Sequence, residues 1–120
     1  MIRLTDGEWK VMAALWREDG QHLGQIVEAL APETGWSRTT VHTYLTRMMD
    51  KGLIRAEGRA PRRYYALAGQ KECAEGPRRD LVERFYGGSA GQLVASFLRD
   101  GSLSRKEREE LRRLLDEMEV

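Results

Sequence analysis

In the first half of the chain, apolar positions recur every three or four residues in three separate runs. That is the period of helices with one face turned to a core. The first run is Trp9, Met12, Leu15 and Trp16, opened by Thr5-Asp6-Gly7-Glu8, a capping box, and ended at Asp19-Gly20. The second is short, about Leu23 to Leu30, with Ile26, Val27 and Leu30 inward and Pro32 and Gly35 turning the chain. The third begins at Ser37, a helix-capping residue, and ends at Gly52. Val41, Tyr44 or Leu45, and Met48 form its apolar face; Tyr44 suits either the core or the groove-facing side, with the core preferred.

The period then changes. Leu53 to Glu57 alternates apolar and polar, and Arg63 to Leu67 is rich in tyrosine, so both suit strands. The intervening Gly58-Arg59-Ala60-Pro61-Arg62 marks a turn, so a two-stranded hairpin with Arg59, Arg62 and Arg63 near its tip is expected. Three helices and a basic hairpin make a winged helix-turn-helix, residues 1–68.

From residue 69 to 120 the pattern predicts a helical region. Gly69 to Gly76 is weakly patterned, and Gly76-Pro77 reads as a break at which a helix starts or restarts. That helix presents Leu81, Val82, Phe85 and Tyr86. After Gly87-Gly88 comes a helix with Leu93, Val94, Phe97 and Leu98. The last opens with a second capping box, Ser104 to Glu107, and turns Leu111, Leu114, Leu115 and Met118 to one side. Short amphipathic helices without a large core of their own need a surface to bury against. A second copy of the chain is the economical one, which assigns Leu81, Phe85, Leu93, Val94, Phe97, Leu98, Leu111, Leu114, Leu115 and Met118 to dimerisation. The expected fold is mostly α with a small β-hairpin, a winged domain followed by a helical dimerisation arm.

The polar face of the third helix carries the candidate chemistry: Arg38, Thr39, His42, Thr43, Thr46 and Arg47, with no carboxylate before Asp50. Hydroxyls and imidazole suit base edges and phosphates, and guanidinium adds charge, as a helix lying in the major groove of DNA requires. Thr39, His42 and Thr43 are read as base or nearby phosphate contacts. Arg38, Thr46 and Arg47 are assigned to phosphates, as is the arginine hairpin. A net charge of +1 conceals the distribution. Trp36 to Ala68 holds seven lysines and arginines against Asp50 and Glu57, whereas Gly69 onward holds ten basic and eleven acidic residues.

Composition removes other classes. No run of about 18 apolar residues offers a membrane span, a helix pattern starts too early for a signal peptide, and a single cysteine fits a reducing cytoplasm. Two histidines and one cysteine, widely spaced, supply neither a zinc set nor a nucleophile–base pair, and there is no glycine-rich phosphate loop. An enzyme is not expected, nor a metal or other cofactor. His22, at the start of the second helix, reads as a structural cap or phosphate contact, and Cys73 as an inert, exposed or half-buried thiol.

The ordered set LTDGEWKVMAALW (Leu4 to Trp16), QIVEAL (Gln25 to Leu30), GWSRTTVHTYLTRMMDKGLI (Gly35 to Ile54), RRYYAL, FYGGSAGQLVASFL (Phe85 to Leu98) and LSRKEREELRRLLDE resembles the BlaI/MecI/CopY-like penicillinase repressors over nearly the whole chain. The resemblance implies a homodimeric bacterial repressor on a pseudo-palindromic operator. In that family, repression is often relieved when a membrane sensor of β-lactams triggers proteolysis in a C-terminal helix. The corresponding bond here joins Ser96 and Phe97, so a regulatory protease is an implied partner. The chain departs from the pattern at Ser96, where well-known members carry asparagine, and at Gly76-Pro77, where a kinked arm is expected. The cysteine-rich metal motif of copper-responsive relatives is absent. A winged-helix protein-interaction module and a small-molecule-sensing repressor are the alternatives. The arginine wing beside a carboxylate-poor helix face speaks against the first, and the lack of a recognisable polar pocket in the C-terminal helices against the second.

Overall fold

A computed structural model describes residues 2–118. The elements run α1 (Asp6–Arg17), β1 (Gln21–His22), α2 (Leu23–Thr34), α3 (Arg38–Asp50), β2 (Ile54–Glu57), β3 (Arg63–Ala66), α4 (Gln70–Tyr86), α5 (Ala90–Arg99) and α6 (Arg105–Met118). The chain divides into two compact units between Gly76 and Pro77.

In the first unit, α1, α2 and α3 pack on one another and on the sheet around a buried core that includes Val11, Met12, Leu15, Ile26, Leu45 and Met48. Burying a leucine or methionine of this kind contributes about 1.5–3 kcal/mol. The Thr5–Glu8 capping box forms as read, each side chain bonding the other residue's backbone N–H. Trp9 and Trp16 meet edge to face at 5.6 Å, and the Trp16 indole donates to the Ala68 carbonyl at 2.9 Å.

Four local expectations are corrected. Helix α1 ends at Arg17, before Asp19-Gly20. The buried Gln21 amide donates there to the Glu18 carbonyl and to the Ala14 carbonyl, which also accepts the Glu18 N–H. Helix α2 continues to Thr34, past Leu30. Pro32 lies in its last turn, where the missing N–H costs one bond, and Gly35 closes the helix with φ +63°, its N–H on the Ala31 carbonyl. The hairpin is the larger part of a three-stranded antiparallel sheet ordered β1-β3-β2, because Gln21 and His22 pair with Tyr64 and Arg63. Tyr44 is half-buried rather than core. Its ring stacks on Trp36 at 4.6 Å, and its hydroxyl fills the space that a side chain on Gly7 would need.

The join between the units also differs from expectation. Helix α4 starts at Gln70 and carries Pro77 inside it, so Gly76-Pro77 begins no new helix. The break marks the division between the units instead. Residue 68 lies inside the first unit because Cys73, in the opening turn of α4, belongs to that unit's core. Cys73 is therefore buried, not exposed or half-exposed. Burial, with the Glu72 charge second, pushes its thiol up, as suits an inert cysteine.

The second unit holds most of α4 with α5 and α6. Ser89 caps α5, and Ser104 and Glu107 form the expected capping box on α6. No residue of α5 or α6 is fully buried.

Candidate nucleic-acid interface

Helix α3 is held firmly from behind. Val41, Leu45 and Met48 are buried, and the Ser37 hydroxyl accepts from the Thr40 N–H at 3.1 Å. At the other end Gly52, at φ +76°, lets its own N–H reach the Met49 carbonyl and the Leu53 N–H reach Met48. These two reverse bonds finish the helix and turn the chain directly into β2.

Arg38, Thr39, His42, Thr43, Thr46 and Arg47 are all exposed on the opposite side of α3. The Thr43 hydroxyl donates to the Thr39 carbonyl and the Thr46 hydroxyl to the His42 carbonyl, both at 3.0 Å. A hydroxyl tied back in this way keeps lone pairs free to accept a bond from outside the helix. A groove of about 590 Å³ separates α3 from the start of α1, lined by Thr39, Thr43, Tyr44 and Arg47 on one side and Asp6 and Gly7 on the other.

Arg59 and Arg62 lie exposed in the turn between β2 and β3. Arg63 belongs to β3, and its guanidinium donates to the Gly20 carbonyl at 2.8 Å. Among the described residues no carboxylate pairs with Arg38, Arg47, Arg59 or Arg62. Their charge is therefore available to an outside anion.

Two neighbours change the charge balance read from sequence. Lys51 forms a 2.7 Å ion pair with Glu8, whose side chain is 5% exposed. Burial alone pushes the Glu8 carboxyl up, but the Lys51 ammonium and the Thr5 N–H outweigh it and hold the group below its ordinary value. Lys51 thus anchors the end of α3 to α1 instead of offering free charge. Arg55 lies over the Tyr65 ring at 4.3 Å and pairs with Glu57 at 3.0 Å. Sequence reasoning did not nominate Arg55, although alternation along β2 places it on the outward face.

The residues assigned to dimerisation fall in the second unit. Leu81, Phe85, Val94, Phe97, Leu98, Leu114, Leu115 and Met118 are exposed, Phe85 by 70% and Met118 by 80%, while Leu93 and Leu111 are half-buried. Ser96 sits in the middle of α5, half-buried. Its hydroxyl bonds the Leu93 carbonyl and lies 3.3 Å from the Tyr86 hydroxyl, and Phe97 beside it is exposed. Among the described residues, no helix is long and apolar enough to cross a membrane.

Comparison with known proteins places this arrangement. The family profile described as "Penicillinase repressor" matches residues 4–117. The methicillin resistance regulatory protein MecI of Staphylococcus aureus (strain N315) is 29% identical over 114 residues, covering 94% of this chain and 93% of that protein. The penicillinase repressor of Bacillus licheniformis is 28% identical over 117 residues, covering 96% and 91%. Among solved structures, the Bacillus licheniformis BlaI monomer in complex with the blaP half-operator superposes with a TM-score of 0.50 at 23% identity, over 59% of this chain and 93% of that one. That likeness is one of fold and supports the winged-helix architecture.

Proposed function

The chain belongs to the penicillinase repressor family, and from that premise we propose that it is a sequence-specific DNA-binding transcriptional repressor acting as a homodimer on a pseudo-palindromic operator. The observation that carries this reading is the exposed, carboxylate-free face of α3 beside a wing turn whose arginines are unpaired. Helix α3 enters the major groove. The back-bonded hydroxyl of Thr43 accepts from a cytosine or adenine amino group, and its methyl meets thymine. Arg38 and Arg47 take phosphates at the groove edge, Arg59 and Arg62 take phosphates under the wing, and Arg63 uses the donors it does not spend on Gly20. The relatives that support the reading are named as repressors of penicillinase and regulators of methicillin resistance.

Dimerisation through the second unit is supported by its unburied leucines, phenylalanines and methionine. Two-fold pairing of winged domains matches a two-fold operator. Release of repression by a regulatory protease cutting between Ser96 and Phe97 completes the proposal. That bond lies within α5, so cutting requires local opening of the helix first.

Fluorescence anisotropy on a palindromic duplex and a scrambled one, at several salt concentrations, tests the reading. Tight, salt-sensitive binding that prefers the palindrome, at two chains per duplex, is expected. Weak binding without preference would sink it and turn attention to protein partners of the winged domain.

A further inference from the structure

The outward face of the sheet carries basic groups outside both the reading face of α3 and the wing turn. Directly opposed residues on antiparallel strands share a face. His22 lies opposite Arg63, and Arg63 opposite Glu57, while Gln21, Tyr64 and Ile54 point inward and are buried. Glu57 is the carboxylate in this row, and it is engaged by Arg55 at 3.0 Å.

His22 is fixed in one tautomer. Its Nδ1 accepts from the Gln25 N–H at 3.3 Å, so the neutral ring carries its proton on Nε2 and keeps a donor to offer. A side chain on Gly24 would meet His22 Cε1 at 3.3 Å and Nδ1 at 3.4 Å, and Arg38 Nη1 at 3.7 Å. Imidazole and guanidinium thus both lie within 4 Å of the point that a side chain on residue 24 would take, an approach the glycine permits. Arg38 has no carboxylate partner among the described residues, and neither α2 nor α3 has an acidic residue in its first turn. One helix start and one strand pair therefore bring His22 beside Arg38 and opposite Arg63, with little to neutralise them.

We propose that His22, with Arg38 beside Gly24 and Arg63 across the strand pair, grips a DNA backbone phosphate between the recognition helix and the wing. This rests on the DNA-binding reading above and deepens it. With α3 and the wing turn alone, the duplex is touched at two separated places. A phosphate held between them fixes the register at which α3 meets the bases and carries no sequence information itself. Gly24 is the approach, and His22 has two duties, capping α2 through Nδ1 and donating outward through Nε2.

Three full-length variants test this by anisotropy on the palindromic and scrambled duplexes, with thermal melting as the control for folding. Gly24→Glu places a carboxylate at the proposed phosphate. It should weaken binding on the order of tenfold or more, the scale of one hydrogen bond to a charged group, and equally on both duplexes. Its melting temperature is read alongside, because glutamate forms helix better than glycine but its Cβ would crowd the His22 ring at 3.3 Å. His22→Asn keeps a capping acceptor but loses the ring, and should weaken both duplexes alike with the fold intact. Arg38→Ala should lower the salt slope of binding by about 0.9. If Gly24→Glu disturbs folding, His22→Asn decides.

Undiminished binding by folded Gly24→Glu or His22→Asn overturns the phosphate grip while the DNA reading stands. A loss confined to the palindrome overturns it too, since that would mark base reading. If the unmodified protein binds neither duplex, the DNA reading falls and takes this contact with it.

Discussion

The two compact units spend their apolar residues differently. The first buries Val11, Met12, Leu15, Ile26, Leu45 and Met48 almost completely, whereas the second leaves Phe85, Leu98, Leu115 and Met118 about half exposed or more. Yet α5 and α6 are more sharply divided into apolar and polar faces than the three helices of the first unit. Amphipathic helices with no fully buried residue leave their apolar faces open to solvent, which is the ground for the proposed dimer interface. In the first unit the same hydrophobic periodicity has already been satisfied within the chain, leaving the polar face of α3 free for a ligand of another kind. One unit therefore presents charge and hydroxyls, and the other presents hydrocarbon.

The sharpest way to break this contrast is to substitute leucines in both units. Leu45→Ala leaves a cavity behind α3 and should cost about 2–5 kcal/mol in denaturant unfolding. Replacing exposed Leu114 and Leu115 together with lysine should leave the first unit's transition in place and convert dimers to monomers in sedimentation. A dimer that survives the double lysine change would put the interface elsewhere and remove the main support for the arm's proposed role. A small effect of Leu45→Ala would mean that the first unit's core is less committed than its burial indicates.

How far these units were legible from sequence depends on how local their determinants are. The Thr5–Glu8 and Ser104–Glu107 boxes each lie within one helical turn, so a four-residue pattern sufficed, and both formed. The exposed face of α3 followed from periodicity alone. Strand β1 did not, because two residues carry no alternation and owe their conformation to Tyr64 and Arg63 some 40 residues on. The His22 cap was read from its place at the start of α2, and only its reciprocal bond with Gln25 was not. Histidine is a rare cap, although its Nδ1 accepts the N–H as an Asn oxygen would. Prolines were harder to place: Pro32 was read as part of a turn and Pro77 as a point where a helix starts or restarts, and both lie inside helices.

A second, smaller test concerns Lys51, which sequence counted toward DNA and the structure gives to Glu8. Lys51→Met should cost about 1–3 kcal/mol by stranding a buried carboxylate, toward the lower part because half of the lysine side chain is in water. The pH dependence should also weaken. With Lys51 present the folded Glu8 carboxyl lies below its unfolded value, so its stabilising contribution is present above the unfolded pKa and is lost as pH falls through the folded one. Without Lys51 only the Thr5 N–H and hydroxyl oppose burial, so the folded carboxyl lies higher than it does in the unmodified protein. The variant should therefore lose less stability than the unmodified protein as the solution is acidified. Parallel stability–pH curves for the two proteins would mean that the ion pair does not set the ionisation of Glu8.

The smallest expected effect lies in the second unit, at the contact between Tyr86 and Ser96. Tyr86→Phe removes one hydroxyl and leaves the ring. The contact is 3.3 Å long and half-buried, and Ser96 keeps its bond to the Leu93 carbonyl, so global stability should fall by no more than about 0.5 kcal/mol. Local opening is the more sensitive measure, because the bond joins α4 to the middle of α5 and nothing in α5 is fully buried to hold it closed. Amide exchange in α5 should therefore quicken about twofold, the Boltzmann equivalent of that loss, while exchange in α3 stays the same. If Ser96–Phe97 is the regulatory cleavage site, its rate of cutting by a nonspecific protease should rise by the same factor, since both processes pass through the same open helix. Faster exchange without faster cutting would separate the two and count against α5 opening as the step that exposes that bond.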